Sequence, residues 1–221
     1  MMTTKKIDVQ QAVMAEDLGY AERIRQGLGV KGVLMVNLIG SPGSGKTTLL
    51  EKTLGRDGLR AAVIEGDVAT DRDAQRIEAT GTPTIQINTD GGCHLEAHWV
   101  NDTLDELPLD ELDIVFVENV GNLVCPAEFD IGEDHKVAIS SVPEGPDKPM
   151  KYPLLFTEAS AVILTKTDLL PHVPFDQDLY WDDVIKLNPR AERFGLSCLS
   201  GDGMERWPDL LNRWLREKRK G

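Results

Sequence analysis

Gly40-Ser41-Pro42-Gly43-Ser44-Gly45-Lys46-Thr47 is the segment of this chain best equipped for chemistry. Two glycines bracket four residues and are followed by Lys and a hydroxyl side chain. In this pattern backbone N–H groups wrap a phosphate chain. The segment lies between a strand-like apolar run and a helix-like run, so a helix N-terminus adds positive potential. Gly43, Ser44, Gly45, Lys46, Thr47 and Thr48 are the expected nucleotide contacts. Lys46 would neutralise the β- and γ-phosphates, and the Thr47 hydroxyl would ligate Mg²⁺. Two carboxylates are expected nearby. Asp67 closes Glu65-Gly66-Asp67 and would reach Mg²⁺ or the attacking water. Glu118 precedes Asn119-Val120-Gly121 and would hold Mg²⁺ through a water, with Gly121 against the γ-phosphate. Lys46, Asp67 and Glu118 are the candidate catalytic groups.

The base is read further along. Thr165-Lys166-Thr167-Asp168 follows an apolar run and resembles the Asn-Lys-x-Asp guanine motif, with Thr165 in place of Asn. The Asp168 carboxylate can accept from the guanine ring N–H and its exocyclic amine, a donor pair that adenine lacks. Charge-assisted bonds of this kind are worth about 1.5–3 kcal/mol each. The Lys166 stem would lie along the base. Ser197-Cys198 would bring a backbone N–H to guanine O6, leaving the Cys198 thiol incidental. GTP and GDP are therefore the expected nucleotides.

A second constellation is Gly91-Gly92-Cys93-His94-Leu95-Glu96-Ala97-His98, with Cys125 four residues after Gly121. On a helix, His94 and His98 would share one face. Cys93 would sit at the helix start, where the dipole lowers a thiol pKa. Thiolate with imidazole suits Zn²⁺ or Ni²⁺ over Mg²⁺. The spacing is not that of a zinc finger, so a site shared across a dimer interface is considered. A lone Cys or His would favour an ordinary surface residue; three donors within six residues favour a metal.

Elements must position these groups. Apolar runs at 33–39, 60–65, 84–88, 114–118, 137–142, 161–165 and 194–197 read as strands. The patterns at 9–28, 46–54, 71–79, 94–107 and 204–219 read as helices. The first of these places Val9, Val13, Tyr20, Ile24 and Leu28 near one face. Alternation of this kind predicts an α/β fold with a mostly parallel twisted sheet and helices on both faces. An N-terminal helix over 1–30 and one nucleotide-binding domain over 31–221 carrying the metal site are expected. The stretch 143–153 reads as a loop, and the basic residues from Arg213 to Lys220 as a solvated helix end. The 221 residues include 24 Lys plus Arg against 37 Asp plus Glu, a net charge of −13, which argues against a general nucleic-acid binder. Three cysteines do not make a disulfide framework. No run approaches a membrane span, and residues 1–10 lack the apolar core of a signal peptide, so a cytoplasmic location is expected.

The chain resembles the family of hydrogenase nickel-incorporation GTPases, HypB. The resemblance runs from the phosphate loop through Glu65-Gly66-Asp67, Gly92-Cys93-His94-Leu95-Glu96-Ala97, the stretch from Glu118 to Pro126, Phe129-Asp130-Ile131-Gly132-Glu133, Asp147-Lys148-Pro149 and Lys151-Tyr152-Pro153 to Thr165-Lys166-Thr167-Asp168. It implies the P-loop NTPase fold, Mg²⁺-dependent GTP hydrolysis and a Zn/Ni site from Cys93, His94 and Cys125. It also implies a homodimer that serves [NiFe]-hydrogenase maturation beside a nickel-binding accessory protein and the hydrogenase large-subunit precursor. The urease accessory GTPase (UreG) is the sister family; it carries Cys-Pro-His where this chain has Cys93-His94. A P-loop ATPase or kinase and a metal-bridged dimerisation module are the other readings.

Glu118 to Cys125 would join a γ-phosphate sensor to a metal ligand on one loop, so nucleotide state would set metal affinity. Without an evident arginine finger, hydrolysis by the protein alone is expected to be slow. Lys148 would reach a partner's nucleotide. His135, after Glu133-Asp134, and His172 read as solvated loop residues. Trp181, Trp207 and Trp214 read as packing, and the carboxylates between Asp102 and Asp113 as solvated.

Overall fold

The structure, a computed structural model, describes residues 9–54, 58–67 and 72–220; the side chains at 9–16, 67, 72 and 73 lie outside that description. In chain order the elements are α1 (Val9–Lys31), β1 (Leu34–Gly40), α2 (Lys46–Leu54), β2 (Ala61–Asp67), α3 (Arg72–Glu78), β3 (Thr84–Asn88), α4 (Ala97–Leu104), β4 (Ile114–Glu118) and α5 (Cys125–Glu128). They continue with β5 (His135–Ser141), α6 (Lys148–Lys151), α7 (Pro153–Glu158), β6 (Ala161–Thr165), α8 (Gln177–Leu187), β7 (Glu192–Gly195) and α9 (Arg206–Lys218). The seven strands form one sheet in the order β3-β2-β4-β1-β5-β6-β7. Every neighbouring pair is parallel.

β1 is apolar apart from the buried Asn37, because both of its faces are covered. Leu34, Val36 and Leu38 pack with Leu49 and Leu50 of α2 and with Trp207 and Trp214 of α9. On the other face Met35 packs with Ile24 and Leu28 of α1 and Val100 of α4. Helices on both faces of a parallel sheet are what the strand–helix alternation predicts. Because the strands run in one direction, the loops after β1, β2, β4 and β6 all leave the same edge, where ligands of open α/β sheets bind.

α1 runs past Leu28 to Lys31. Gly32, at φ +65°, closes it, with Val33 N donating to Leu28 O (3.0 Å) and Gly32 N to Gly29 O (3.1 Å). A left-handed residue there favours glycine. Of the expected apolar face, Ile24 and Leu28 are buried and Tyr20 half-buried; the side chains of Val9 and Val13, and all of Asp71, lie outside the described residues.

Several expectations change in three dimensions. The helix read over 94–107 begins only at Ala97. Asp90 (φ 48°) and Gly91 (φ 92°) turn the chain, and Leu95 N donates to the Asn119 side chain, which draws 93–96 toward the β4 loop. The stretch 143–153 contains α6 and leads into α7, and α8, which lies outside the stretches read as helices, covers β6 with Tyr180 and Val184. The basic tail is paired: Lys218 donates to Asp134 (2.6 Å), Arg213 to Glu192 (2.5 Å) and Arg219 to Asp113. Glu133 is buried beneath Asn37, which donates to it (3.1 Å), and burial pushes its carboxyl up. His135 opens β5 and stacks on Trp214 at 3.9 Å. Trp207 and Trp214 are buried packing residues.

Candidate functional site

The loop between β1 and α2 forms one wall of a cavity of ≈ 530 Å³. Gly43, Gly45, Lys46, Thr47 and Thr48 line it, faced by Glu65, Glu118 and Gly121. Register explains the facing carboxylates. Glu65 of β2 and Glu118 of β4 are partners in the parallel ladder, so both project on the same side at the strands' C-terminal ends. The buried Lys46 ammonium donates to the carbonyls of Gly40 (3.1 Å) and Ser41 (3.3 Å) and lies 3.9 Å from Glu118. The Thr47 hydroxyl donates to Glu118 Oε1 at 2.8 Å. Hydroxyl and carboxylate oxygens held together in this way are the hard donors that Mg²⁺ takes. Glu118 in place of Asp therefore still reaches Thr47, the threonine expected to ligate Mg²⁺. Asp67 ends β2 in register with Asn88, and its side chain lies outside the described residues. Gly121 approaches the phosphate loop so closely that a Cβ there would lie 2.8 Å from Pro42 Cγ. Only glycine fits that contact.

Glu65 and Arg76 are wall residues that sequence reasoning missed. Glu65 shares a strand face with Asp67, a period-two signal that could have marked it. Arg76 of α3 donates to Glu51 (2.7 Å) and to the Thr48 hydroxyl (3.2 Å). An arginine from α3, outside the phosphate loop and the proposed switch segments, thus stands on the phosphate cavity, and no motif announces it. Ser44 is buried, and its hydroxyl oxygen has no hydrogen-bond partner among the described residues.

At the end expected to hold the base, the buried Thr165 hydroxyl donates to Ser44 O (2.5 Å) and ties β6 to the phosphate loop. Lys166, in the left-handed region at φ 58°, donates to Gly43 O (2.7 Å) and also lines the cavity. Asp168 accepts from Ser197 Oγ at 2.5 Å. Asp168, Ser197 and Cys198 stand beside Lys166 rather than on the phosphate wall. The Cys198 thiol points to Met204 (3.9 Å), and burial raises it above its ordinary value. Lys148, expected to reach across to a partner, lies in this chain 3.3 Å from Glu144 and 3.5 Å from the Ser41 hydroxyl.

Cys93, His94 and Cys125 come together although 32 residues separate the cysteines. The two sulfurs are 2.8 Å apart, and Cys93 Sγ lies 3.5 Å from His94 Nδ1. Both cysteines are free thiols. The His94 ring stacks on Phe129 at 3.8 Å. Burial lowers its pKa, against the pull of Glu96, Asp17 and Glu128, which favours the neutral ring that a metal requires. Its Nε2 is buried with no hydrogen-bond partner among the described residues. Cys93 is not at a helix start, and its thiol is raised rather than lowered, first by the hydrogen bond to Cys125. His98 does not join this trio. With His94 ahead of α4, the two rings do not share a helix face, and His98 lies with Asp17 and Glu96.

Two asparagines connect the Cys/His trio to the cavity beside the phosphate loop. Asn119, buried and on the cavity wall, accepts from Leu95 N (3.3 Å) and Val120 N (3.0 Å) and donates to Asn37 (3.2 Å). Asn122 donates to the Cys93 carbonyl at 3.1 Å. Sequence reading stopped at Glu118 and Gly121; the two amides only acquire meaning once the 93–95 loop lies against them.

Comparison with known proteins identifies the family and the fold. The family described as CobW/HypB/UreG, nucleotide-binding domain, matches residues 34–194. The hydrogenase maturation factor HypB of Escherichia coli (strain K12) is 49% identical over 99% of this chain and 75% of that protein. The crystal structure of HypB from Helicobacter pylori in complex with nickel superposes with a TM-score of 0.86 at 36% identity, covering 93% of this chain and 96% of that one. HypB from Archaeoglobus fulgidus superposes with a TM-score of 0.85 at 35% identity, over 91% and 99% of the two chains.

Proposed function

This chain belongs to the HypB family of hydrogenase maturation factors, and we propose that it couples Mg²⁺-dependent GTP hydrolysis to the delivery of nickel. The observation that carries this reading is the double tether of the metal trio to the phosphate cavity. The segment from Glu118 to Cys125 starts on the Thr47 hydroxyl, passes through the Asn119 and Asn122 contacts to the 93–95 loop, and ends on a metal ligand.

GTP enters with its phosphates along Gly43–Thr48. Lys46 balances β- and γ-phosphate charge, and Asp168 selects guanine. Bound Mg²⁺ supplies charge neutralisation between the phosphates, and Thr47 and Glu118 are the residues to hold it. Gly121 N–H meets the γ-phosphate. Loss of that phosphate releases the 119–122 backbone, and the release travels to Cys93 through Asn122 and to His94 through Leu95.

Nickel is the cargo. Cys93 and Cys125 would bind it as thiolates and His94 as a neutral imidazole, a donor set that also suits Zn²⁺. With metal–sulfur bonds of about 2.3 Å, two sulfurs stand about 3.3 Å apart on a square-planar ion and about 3.8 Å apart on a tetrahedral one. Loading therefore opens the 2.8 Å sulfur pair, and a loop that moves with the nucleotide can control that opening. Cys93 is exposed, as is the neighbouring Val124, so a second copy of the chain can close the site in a homodimer. The acceptors are the hydrogenase large-subunit precursor and a nickel-binding accessory protein, met in the cytoplasm. No helix among the described residues is long and apolar enough to cross a membrane.

The test compares nickel affinity at one pH with GDP and with a non-hydrolysable GTP analogue, alongside GTP turnover of wild type, Lys46→Ala and Thr47→Ala. A nucleotide-dependent affinity, lost in both variants together with turnover, is expected. Equal affinities in the two nucleotide states of the wild type would overturn the coupling.

A further inference from the structure

Beside the Cys/His trio lies a second set of converging donors. His98 is in the first turn of α4. Its Nδ1 lies 3.3 Å from Glu96 Oε2 and 3.7 Å from Asp17 Oδ1. One donor atom from each of the three residues falls within 4.8 Å of the other two. Asp17 comes from α1, 81 positions earlier in the chain, and is fixed in place by accepting from His98 N at 3.2 Å. Tyr20 and Trp99 flank the imidazole, with ring centroids at 6.1 and 5.1 Å.

The ordinary reading is a long-range cap: Asp17 satisfies an orphan N–H at the start of α4. That explains the backbone bond and leaves the rest of the arrangement unexplained. An imidazole Nδ1 carries one hydrogen or one lone pair, yet two carboxylate oxygens face it. Among the described residues no lysine or arginine forms an ion pair with Asp17 or Glu96. Two like charges gathered on one ring nitrogen call for a cation among them, either a proton on Nδ1, which can be shared with only one of the two oxygens at a time, or a bound metal ion that takes both. Donor–donor separations of 3.3 and 3.7 Å are close to the edge of about 3 Å expected around an ion with bonds of 2.0–2.2 Å.

We infer that Asp17, Glu96 and His98 form a second divalent-cation site, of oxygen–oxygen–nitrogen character, that loads the neighbouring thiolate trio. The inference rests on the nickel-delivery reading for its purpose. A hydrated Ni²⁺ or Zn²⁺ suits this set: carboxylates replace some of its waters while the others remain and keep exchange fast. The site is open to water, with His98 and Glu96 side chains 39% and 32% exposed. It is also close to its destination, since the Asp17 and Glu96 charges both act on His94. Transfer is ligand exchange with no change of oxidation state. Bonds to two carboxylates and one imidazole break, bonds to the Cys93 and Cys125 sulfurs and His94 form, and the two thiol protons pass to solvent.

The experiment uses the full chain with nickel(II) alone, counting bound metal and reading its ligands by X-ray absorption. Wild type should hold about two ions per chain. Cys93→Ser with Cys125→Ser should hold about one, with nitrogen and oxygen ligands and no sulfur. Adding His98→Ala or the near-isosteric Glu96→Gln should weaken that ion at least about tenfold. GDP affinity measured on the same samples confirms that each variant is folded. A thiol-free chain that binds no nickel, or binds it undiminished in both added variants, overturns the second site and leaves nickel delivery standing if the wild type shows sulfur ligation. Conversely, a wild type with nickel bound only through nitrogen and oxygen supports the second site and overturns the thiolate trio as its destination.

Discussion

Replacing Asn119 with Ala probes the join between the two halves of this protein. The side chain is 1% exposed and serves three buried groups at once. Its carbonyl oxygen accepts from Leu95 N and Val120 N, and its amide donates to Asn37, which in turn donates to the buried Glu133. Alanine leaves two N–H groups and one carbonyl oxygen unmet. Each orphaned group costs about 1–3 kcal/mol, and a water entering the vacated space recovers part of the sum. A net loss of about 3 kcal/mol is expected. For a chain of this length that lowers Tm by roughly 6–12 °C. Urea denaturation followed by tryptophan fluorescence measures it. Asn122→Ala is the comparison: its bonds to Cys93 O and Val124 N are exposed, so it should cost less than about 1 kcal/mol. Both variants should bring the nickel affinities in GDP and in a GTP analogue together, because each cuts one tether. An Asn119→Ala protein with wild-type stability and an unchanged affinity ratio would refute the reasoning.

Asp168→Asn should reduce the preference for GTP over ATP about 10²-fold, since one acceptor oxygen becomes a donor facing guanine N–H; competition binding reads this, and unchanged selectivity would remove Asp168 from base recognition. Arg60 and Arg219 hold the Asp113 carboxyl down at about 2, Arg60 through the largest effect. A depressed carboxyl stabilises the fold above its unfolded value of about 3.9, and that stability disappears as pH falls through 2. Both guanidiniums are well exposed, so about 1 kcal/mol is expected. The stability gap between wild type and Asp113→Asn should be full at pH 7 and close between about pH 4 and 2; a gap that widens on acidification would contradict the assignment. Trp207 is wholly buried, with Nε1 donating to Thr53 at 2.9 Å, so Trp207→Ala should cost about 3–5 kcal/mol in chemical denaturation. A loss under 1 kcal/mol would show that this core face relaxes around the hole.

What the sequence determined by itself is whatever depends on local pattern. Apolar runs too continuous for a one-sided strand required a sheet covered on both faces. The spacing of Gly40, Gly45, Lys46 and Thr47 fixed a phosphate loop, because its donors all lie within eight residues. Donor type marked Cys93, His94, His98 and Cys125 as metal candidates, and the family resemblance narrowed them to Cys93, His94 and Cys125. Partnerships across the chain were decided only by tertiary structure. His98 was grouped with His94 on an assumed helix; the backbone instead turns at Asp90 and Gly91, Leu95 bonds to Asn119, and His98 joins Asp17 from α1. Glu65 became a cavity wall only through its register with Glu118, and Arg76 only because α3 packs beside α2. The residues read as a solvated tail and an acidic loop proved to be each other's partners, Lys218 with Asp134 and Arg219 with Asp113. Periodicity carries the direction of a side chain relative to its own element. Which element that side chain meets is set by how the sheet is ordered and which helix covers it, and that information is spread over positions too far apart for any local pattern to hold.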